Sequence, residues 1–311
     1  MELTSTPDNP KPEGVVCTRV VTSDGIALRA MSARVANSRG TVVILGGRAD
    51  FMERYFETAR DLMDMGYCVA SVDLRGQGGS QRLAKDPMQG YIRNFGQYEE
   101  DVRSLMTQLV LPDCPPPYYA IGHSTGGNVI LRTIRSRNWF RKCVLVAPLI
   151  DLNYVSWPLP VAWTLTLVMT SLGLGSVFLP GQRKVPMGRN DFIGNPLTSD
   201  QRRWNRDCAV PETTPELRVG GPTFRWLWAA MGSIKTLKAM KSTTKLRCPV
   251  LVVMAGQESV VNNEATRAFA QRVPGVSLTM IPEAKHEILL EKDAIRQQFF
   301  AAFEAFLAEP A

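Results

Sequence analysis

Short apolar runs alternate with amphipathic stretches along most of this chain. Thr41–Leu45, Tyr67–Val72, Tyr118–Ile121, Lys142–Ala147 and Pro249–Ala255 are nearly unbroken apolar runs. Runs of that kind suit strands buried on both faces. Between them, Met52–Met65, Gln97–Val110, Asn128–Ile134, Glu264–Arg272 and Asp293–Leu307 have helical spacing, and Gly66 stops the first of these helices. Val15–Val21 and Ile26–Met31 read as two strands around the turn Ser23-Asp24-Gly25, and Val276–Ile281 reads as a last strand. Strands alternating with helices predict an α/β fold, with a mostly parallel central sheet and crossover helices on both faces.

The alternation lapses from about Leu149 to Thr244 and resumes at Pro249. The chain therefore divides into a first core part (1–150), an inserted helical cap or lid (151–244) and a second core part (245–311). Within the insertion, Trp157–Leu179 carries no charged residue. Its length is enough to span a bilayer. However, it contains Pro158, Pro160, Gly173 and Gly175, and a span there would put the two halves of one sheet on opposite sides of a membrane. It reads as a lid element whose Trp163 and Phe178 line an apolar slot, with packing of the cap onto the core and interfacial membrane contact as the alternatives.

The candidate chemistry centres on Gly122-His123-Ser124-Thr125-Gly126, a Gly-x-Ser-x-Gly sequence between a strand and a helix. That context is a nucleophile elbow. The chain must turn sharply at Ser124, and a Cβ at Gly122 or Gly126 would crowd neighbouring backbone. The helix N-terminus behind the serine supplies unpaired N–H groups for an oxyanion. A serine needs a base, and the chain has two histidines. His123 adjoins the serine at a turn that points neighbours apart, so it reads as packing beneath the elbow. His286 follows the last strand, at the sheet edge where Ser124 emerges, and is the candidate base.

The orienting acid is expected from Glu258, in the loop after the neighbouring strand, with Asp151 as the runner-up. Glu283 and Glu287 lie too near His286 in sequence to be favoured. The order Ser124, Glu258, His286 is that of an α/β-hydrolase triad. Two backbone donors complete the set: the N–H of Thr125, and the N–H of Arg48 after Gly46-Gly47, whose glycines permit close approach.

Composition narrows the class further. The 311 residues are 45% hydrophobic, enough for a sizeable core. Cys17, Cys68, Cys114, Cys143, Cys208 and Cys248 are scattered, with no Cys-x-x-Cys. Neither a metal cluster nor a disulfide framework is expected, and a reducing cytosol is the simplest compartment. Met1–Gly14 is polar and proline-bearing, without an apolar signal segment. The net charge of +7 is spread along the chain. It gives a mildly basic surface and accompanies no nucleic-acid motif.

Taken together, Gly46-Gly47-Arg48 with Glu53-Arg54-Tyr55, Asp73-Leu74-Arg75-Gly76-Gln77-Gly78-Gly79-Ser80, Gly122–Gly127, Ala147-Pro148 and Ala284-Lys285-His286 resemble the α/β-hydrolase superfamily. Within it they are similar to the bacterial lysophospholipase and monoacylglycerol lipase group, also classed with serine aminopeptidases. Asn195-Pro196-Leu197-Thr198 and Gly221-Pro222-Thr223 add to the likeness, which is weakest from Val155 to Arg189. Two positions depart from the group: Gly46-Gly47 stands where His-Gly is usual, and Glu258 where Asp is usual. The resemblance implies the α/β-hydrolase fold and a carboxylic ester hydrolase working through an acyl-enzyme. Its substrate would be a single-chain lipid ester, a lysophospholipid or monoacylglycerol. It would use no cofactor or metal and act in the cytoplasm or against the inner membrane face. The alternatives are a serine aminopeptidase or amidase, which would need an acidic cluster in the cap, and a non-catalytic hydrolase-fold binding protein.

Overall fold

The computed structural model describes residues 2–153, 159–182 and 184–310. Eight strands form one sheet: β1 (Val16–Val21), β2 (Ala27–Ala33), β3 (Thr41–Leu45), β4 (Cys68–Val72), β5 (Tyr118–His123), β6 (Lys142–Val146), β7 (Val250–Ala255) and β8 (Val276–Ile281). Their spatial order is β1-β2-β4-β3-β5-β6-β7-β8. β1 pairs with β2, and β2 with β4, antiparallel; every later pairing is parallel. The expected strands are all present, with ends shifted by a residue or two.

β3 shows why its sequence is apolar throughout. Alternate side chains of a strand face opposite sides. Val43 and Leu45 enter one core with Val129, Ile130, Trp226 and Phe269, while Val42 and Ile44 enter the other with Leu62, Phe299 and Phe303. The first core is covered by α2 (Gly96–Leu105), α4 (Thr125–Thr133), α7 (Phe224–Lys238) and α8 (Asn263–Arg272). The second is covered by α1 (Phe56–Asp64) and α9 (Asp293–Ala308). A one-turn α3 (Leu111–Asp113) ends the segment before β5. In α9, Phe299, Phe303 and Phe306 fall on one helical face, all buried.

Between β6 and β7 the described residues hold no strand of the sheet. They hold α5 (Leu159–Ser171), α6 (Gln201–Thr213) and α7. Trp157 and Pro158, the start of the charge-free run, lie outside the described residues. From Leu159 on, that run is α5 and the loop after it. α5 packs along α7, where Trp163 meets Trp228 edge-on with ring centroids 5.0 Å apart. Among the described residues, no helix is long and apolar enough to cross a membrane. Near Asn195 the segment between β6 and β7 returns to the sheet edge: Leu197 O accepts the Glu287 N–H at 2.8 Å, and Thr198 Oγ1 donates to Leu290 O at 2.7 Å.

Candidate active site

β5 ends at His123 and α4 begins at Thr125, so Ser124 alone makes the turn. Its backbone is held at φ 50°, ψ −111°, a conformation costing about 1–3 kcal/mol for a residue with a Cβ. The surroundings fix it. Ser124 N–H donates to Val146 O at 3.0 Å, and its carbonyl accepts from Leu149 N–H at 2.9 Å and Asn128 N–H at 3.2 Å. A Cβ on Gly122 would lie 2.8 Å from Gly127 N, and one on Gly126 would lie 2.2 Å from Leu45 O, so both flanking positions require glycine. As the first residue of α4, Thr125 has an N–H with no intrahelical acceptor.

β7 and β8 are parallel neighbours, so the loops leaving them emerge at the same edge. Glu258 comes from the first loop and His286 from the second. His286 Nδ1 lies 2.8 Å from Glu258 Oε2, while Glu258 Oε1 accepts the N–H groups of Val260 at 2.8 Å and Val261 at 3.2 Å. Burial alone would raise the Glu258 carboxyl, but these contacts outweigh it and hold it below the usual glutamate value. The ionised carboxylate makes Nδ1 the donor, which leaves Nε2 of His286 as an acceptor. Asp151 is committed elsewhere: its Oδ2 pairs with Lys238 Nζ at 2.5 Å.

His123 is buried beneath this arrangement. Its Nε2 lies 3.3 Å from His286 O, and its Nδ1 lies 3.4 Å from Asp50 Oδ2. Burial pushes its imidazole down, but Glu287 and Asp50 outweigh that and raise it above the usual value. The same Asp50 oxygen accepts Gly47 N–H at 2.5 Å and Tyr55 OH at 2.6 Å. Gln77 Nε2 donates to Gly47 O at 2.8 Å from the other side. The Gly47 loop is thereby pressed on the elbow: a Cβ on Gly47 would sit 3.3 Å from Ser124 Cβ. Arg48 is the next residue along this loop.

Ser124, His286, Gly47 and Arg48 line one cavity of about 360 Å³. Phe51, Met187, Trp204, Leu217 and Val219 supply apolar wall. Part of the wall is charged. Arg54 reaches Asp50, Asp207 at 3.0 Å and Glu287 at 3.1 Å, so one guanidinium serves three carboxylates. Burial nevertheless pushes Asp207 up to about 6.

Trp163 and Phe178 do not line this cavity. α5 is apolar on every side, so its sequence does not select a face, and it turns Trp163 against α7. Phe178 lies behind the cavity wall, where a Cβ on Gly220 would meet its ring at 3.1 Å. The apolar wall instead comes from residues such as Met187 and Trp204, and sequence reasoning missed these. It also missed the group Asp50, Arg54, Asp207 and Glu287. Asp50 and Arg54 are near neighbours in sequence, but Asp207 and Glu287 come from distant parts of the chain, and only Arg54 lay in a stretch carrying the family resemblance.

Comparison with known proteins agrees with the geometry. A family model described as serine aminopeptidase, S33, matches residues 36–293. The chain is 29% identical over 284 residues to lysophospholipase L2 of Escherichia coli strain K12, covering 88% of this chain and 82% of that protein. It is 28% identical over 272 residues to the probable lysophospholipase L2 of Haemophilus influenzae, covering 86% and 84%. Among solved structures, a soluble variant of monoglyceride lipase from Saccharomyces cerevisiae in complex with a substrate analog superposes with a TM-score of 0.71 at 20% identity. That match covers 96% of this chain and 98% of the other. At that identity the likeness shows the fold, which is that of an α/β hydrolase.

Proposed function

The chain belongs to the serine aminopeptidase S33 family of α/β hydrolases, and from that premise we propose that it is a serine hydrolase of single-chain lipid esters. The observation that carries the reading is one cavity containing both the strained Ser124 and the Glu258-paired His286. In this reading Ser124 Oγ attacks the ester carbonyl and passes its proton to His286 Nε2. Glu258 stabilises the imidazolium. The N–H groups of Thr125 and Arg48 hold the oxyanion. His286 then gives the proton to the departing alcohol, and water, activated by the same imidazole, releases the fatty acid from Ser124.

The lipid character of the substrate rests on the two lysophospholipase relatives and on the apolar share of the cavity wall. An aminopeptidase would need a free acid to grip a substrate amine, whereas the carboxylates of this cavity are gathered around Arg54. Residues 151–244 act as the cap over Ser124. Peripheral membrane contact belongs to the same reading. Val161, Leu167, Val168, Leu172, Leu174 and Val177 are exposed on α5 and the loop after it, an apolar surface suited to an acyl interface.

The test is labelling with a fluorophosphonate, followed by hydrolysis of a lysophospholipid and a monoacylglycerol. A chain that neither labels nor hydrolyses either lipid is not the enzyme described.

A further inference from the structure

The cationic groups of the cavity differ sharply in their partners. Arg54 is saturated by three carboxylates. Arg48 and Arg218 also line the cavity, and among the described residues neither forms an ion pair. The Arg48 guanidinium is nonetheless held in place. Its Nη1 donates to Gly220 O at 2.8 Å, and its central carbon lies 5.6 Å from the ring centroid of Trp226. Burial pushes its pKa down and outweighs the opposing influence of its neighbours. A guanidinium has five N–H donors, and among the described residues this one donates one hydrogen bond, to Gly220 O. A desolvated cation is costly unless something anionic meets it. The apolar wall alone does not explain why the cavity carries two arginines that, among the described residues, form no ion pair.

Resting on the ester-hydrolase reading above, we propose that Arg48 and Arg218 form a subsite for the phosphate of the substrate. That subsite selects lysophospholipids over monoacylglycerols of the same acyl chain. The position suits that role. Arg48 contributes its backbone N–H to the oxyanion site in the proposed mechanism, so its side chain starts beside the scissile carbonyl. In a lysophospholipid the phosphate hangs from the same glycerol as the ester, a few bonds from that carbonyl. A planar guanidinium presents paired N–H groups that match two phosphate oxygens, which a neutral glycerol hydroxyl cannot do. Arg54 offsets part of the charge of Asp50, Asp207 and Glu287, and Arg48 and Arg218 are the cationic groups left to meet an anion in the cavity.

The experiment compares kcat/KM on 1-palmitoyl lysophosphatidylglycerol and on 1-palmitoylglycerol, in the same neutral detergent. The enzymes are the wild type, Arg48→Met, Arg48→Lys and Arg218→Gln. The ratio of the two values should fall by about tenfold or more in Arg48→Met, the loss expected for a charge-assisted contact. It should fall less in Arg48→Lys, which keeps the charge but loses the fork, and should also fall in Arg218→Gln. Binding is measured separately by tryptophan fluorescence, with Trp226 beneath Arg48, using glycerol 3-phosphate, inorganic phosphate and glycerol. Glycerol 3-phosphate should bind the wild type and bind Arg48→Met at least about tenfold more weakly. Equal weakening of inorganic phosphate would assign the site to free phosphate as well as to the lipid headgroup. An unchanged substrate ratio in Arg48→Met and Arg218→Gln, or equal losses on both lipids, overturns the subsite. If the wild type labels and hydrolyses both lipids while the ratio ignores Arg48, the hydrolase reading stands and only the phosphate site fails. If the wild type hydrolyses neither, phosphate binding lost in Arg48→Met still supports the subsite, and undiminished or absent binding removes it.

Discussion

The carboxylate of Asp50 accepts the N–H of Gly47 at 2.5 Å, so the side chain at one end of the loop after β3 fixes the backbone at the other. The same oxygen takes the Tyr55 hydroxyl and lies near His123, which in turn lies under the carbonyl of His286. One buried acid thus ties together the loop bearing Arg48, the elbow and the His286 loop. In Asp50→Asn the single amide oxygen cannot replace both carboxylate oxygens, and its NH₂ confronts donors. A displacement of oxyanion donors by a fraction of an ångström is expensive in the transition state. Ester hydrolysis should lose about tenfold to a hundredfold in kcat with a smaller change in KM. A loss confined to thermal stability would make Asp50 merely structural.

Ser124→Ala should abolish fluorophosphonate labelling and reduce ester kcat by roughly 10⁴ or more. The fold should persist, because alanine can take the same backbone hydrogen bonds and removes only one buried hydroxyl. Labelling that survives in this variant would place the nucleophile elsewhere.

Glu258 and Asp151 can be separated by kinetics. Glu258→Gln keeps a hydrogen bond to His286 Nδ1 but cannot stabilise the imidazolium, so kcat should fall by several orders of magnitude. Asp151→Asn breaks an ion pair with a half-exposed lysine, Lys238, and should leave kcat within about threefold, since such pairs contribute little. Steady-state kinetics on one soluble ester decide the matter, and a larger loss in Asp151→Asn would reverse the assignment.

Acyl-chain preference should follow the residues that line the cavity. Each methylene buried contributes about 0.8 kcal/mol, close to a fourfold gain in kcat/KM, until the cavity of about 360 Å³ is filled. Met187→Ala should flatten that rise across an acetyl-to-decanoyl ester series. Trp163→Ala should lower the melting temperature and leave the series unchanged, because its ring packs on Trp228. The opposite pattern would return Trp163 to the substrate wall.

Asp207 carries a pH signature. Its folded-state pKa, pushed up to about 6 chiefly by burial, lies above the unfolded value near 3.9. The folded state therefore binds this proton more tightly, and the contribution to stability falls as pH rises from about 4 to about 6, then levels. Asp207→Asn keeps an acceptor for Arg54 Nε and removes that slope. Urea unfolding at pH 4.5 and 7.5 should show the variant gaining on the wild type at the higher pH. An equal difference at both values would mean that Asp207 titrates normally.

The sequence by itself determined the sheet and the turn that carries the serine. Val42, Val43, Ile44 and Leu45 are apolar in succession because the strand has a core on each face, and that requirement is legible without coordinates. Gly122 and Gly126 are legible for a similar reason, since backbone within 3 Å of either position leaves no room for another residue type. Tertiary structure decided what local spacing does not encode. Glu258 and Asp151 both leave strand ends at one edge, and only the loop paths bring the first to His286 and the second to Lys238. α5 has apolar residues all round, so its pattern could not say whether Trp163 faced Ser124 or Trp228, and packing on α7 settled it. The sharing of Arg54 with Asp207 and Glu287 joins positions 153 (207 − 54) and 233 (287 − 54) residues apart. Charges that far apart in sequence interact only after the chain has closed around them, so no pattern along the chain announces them.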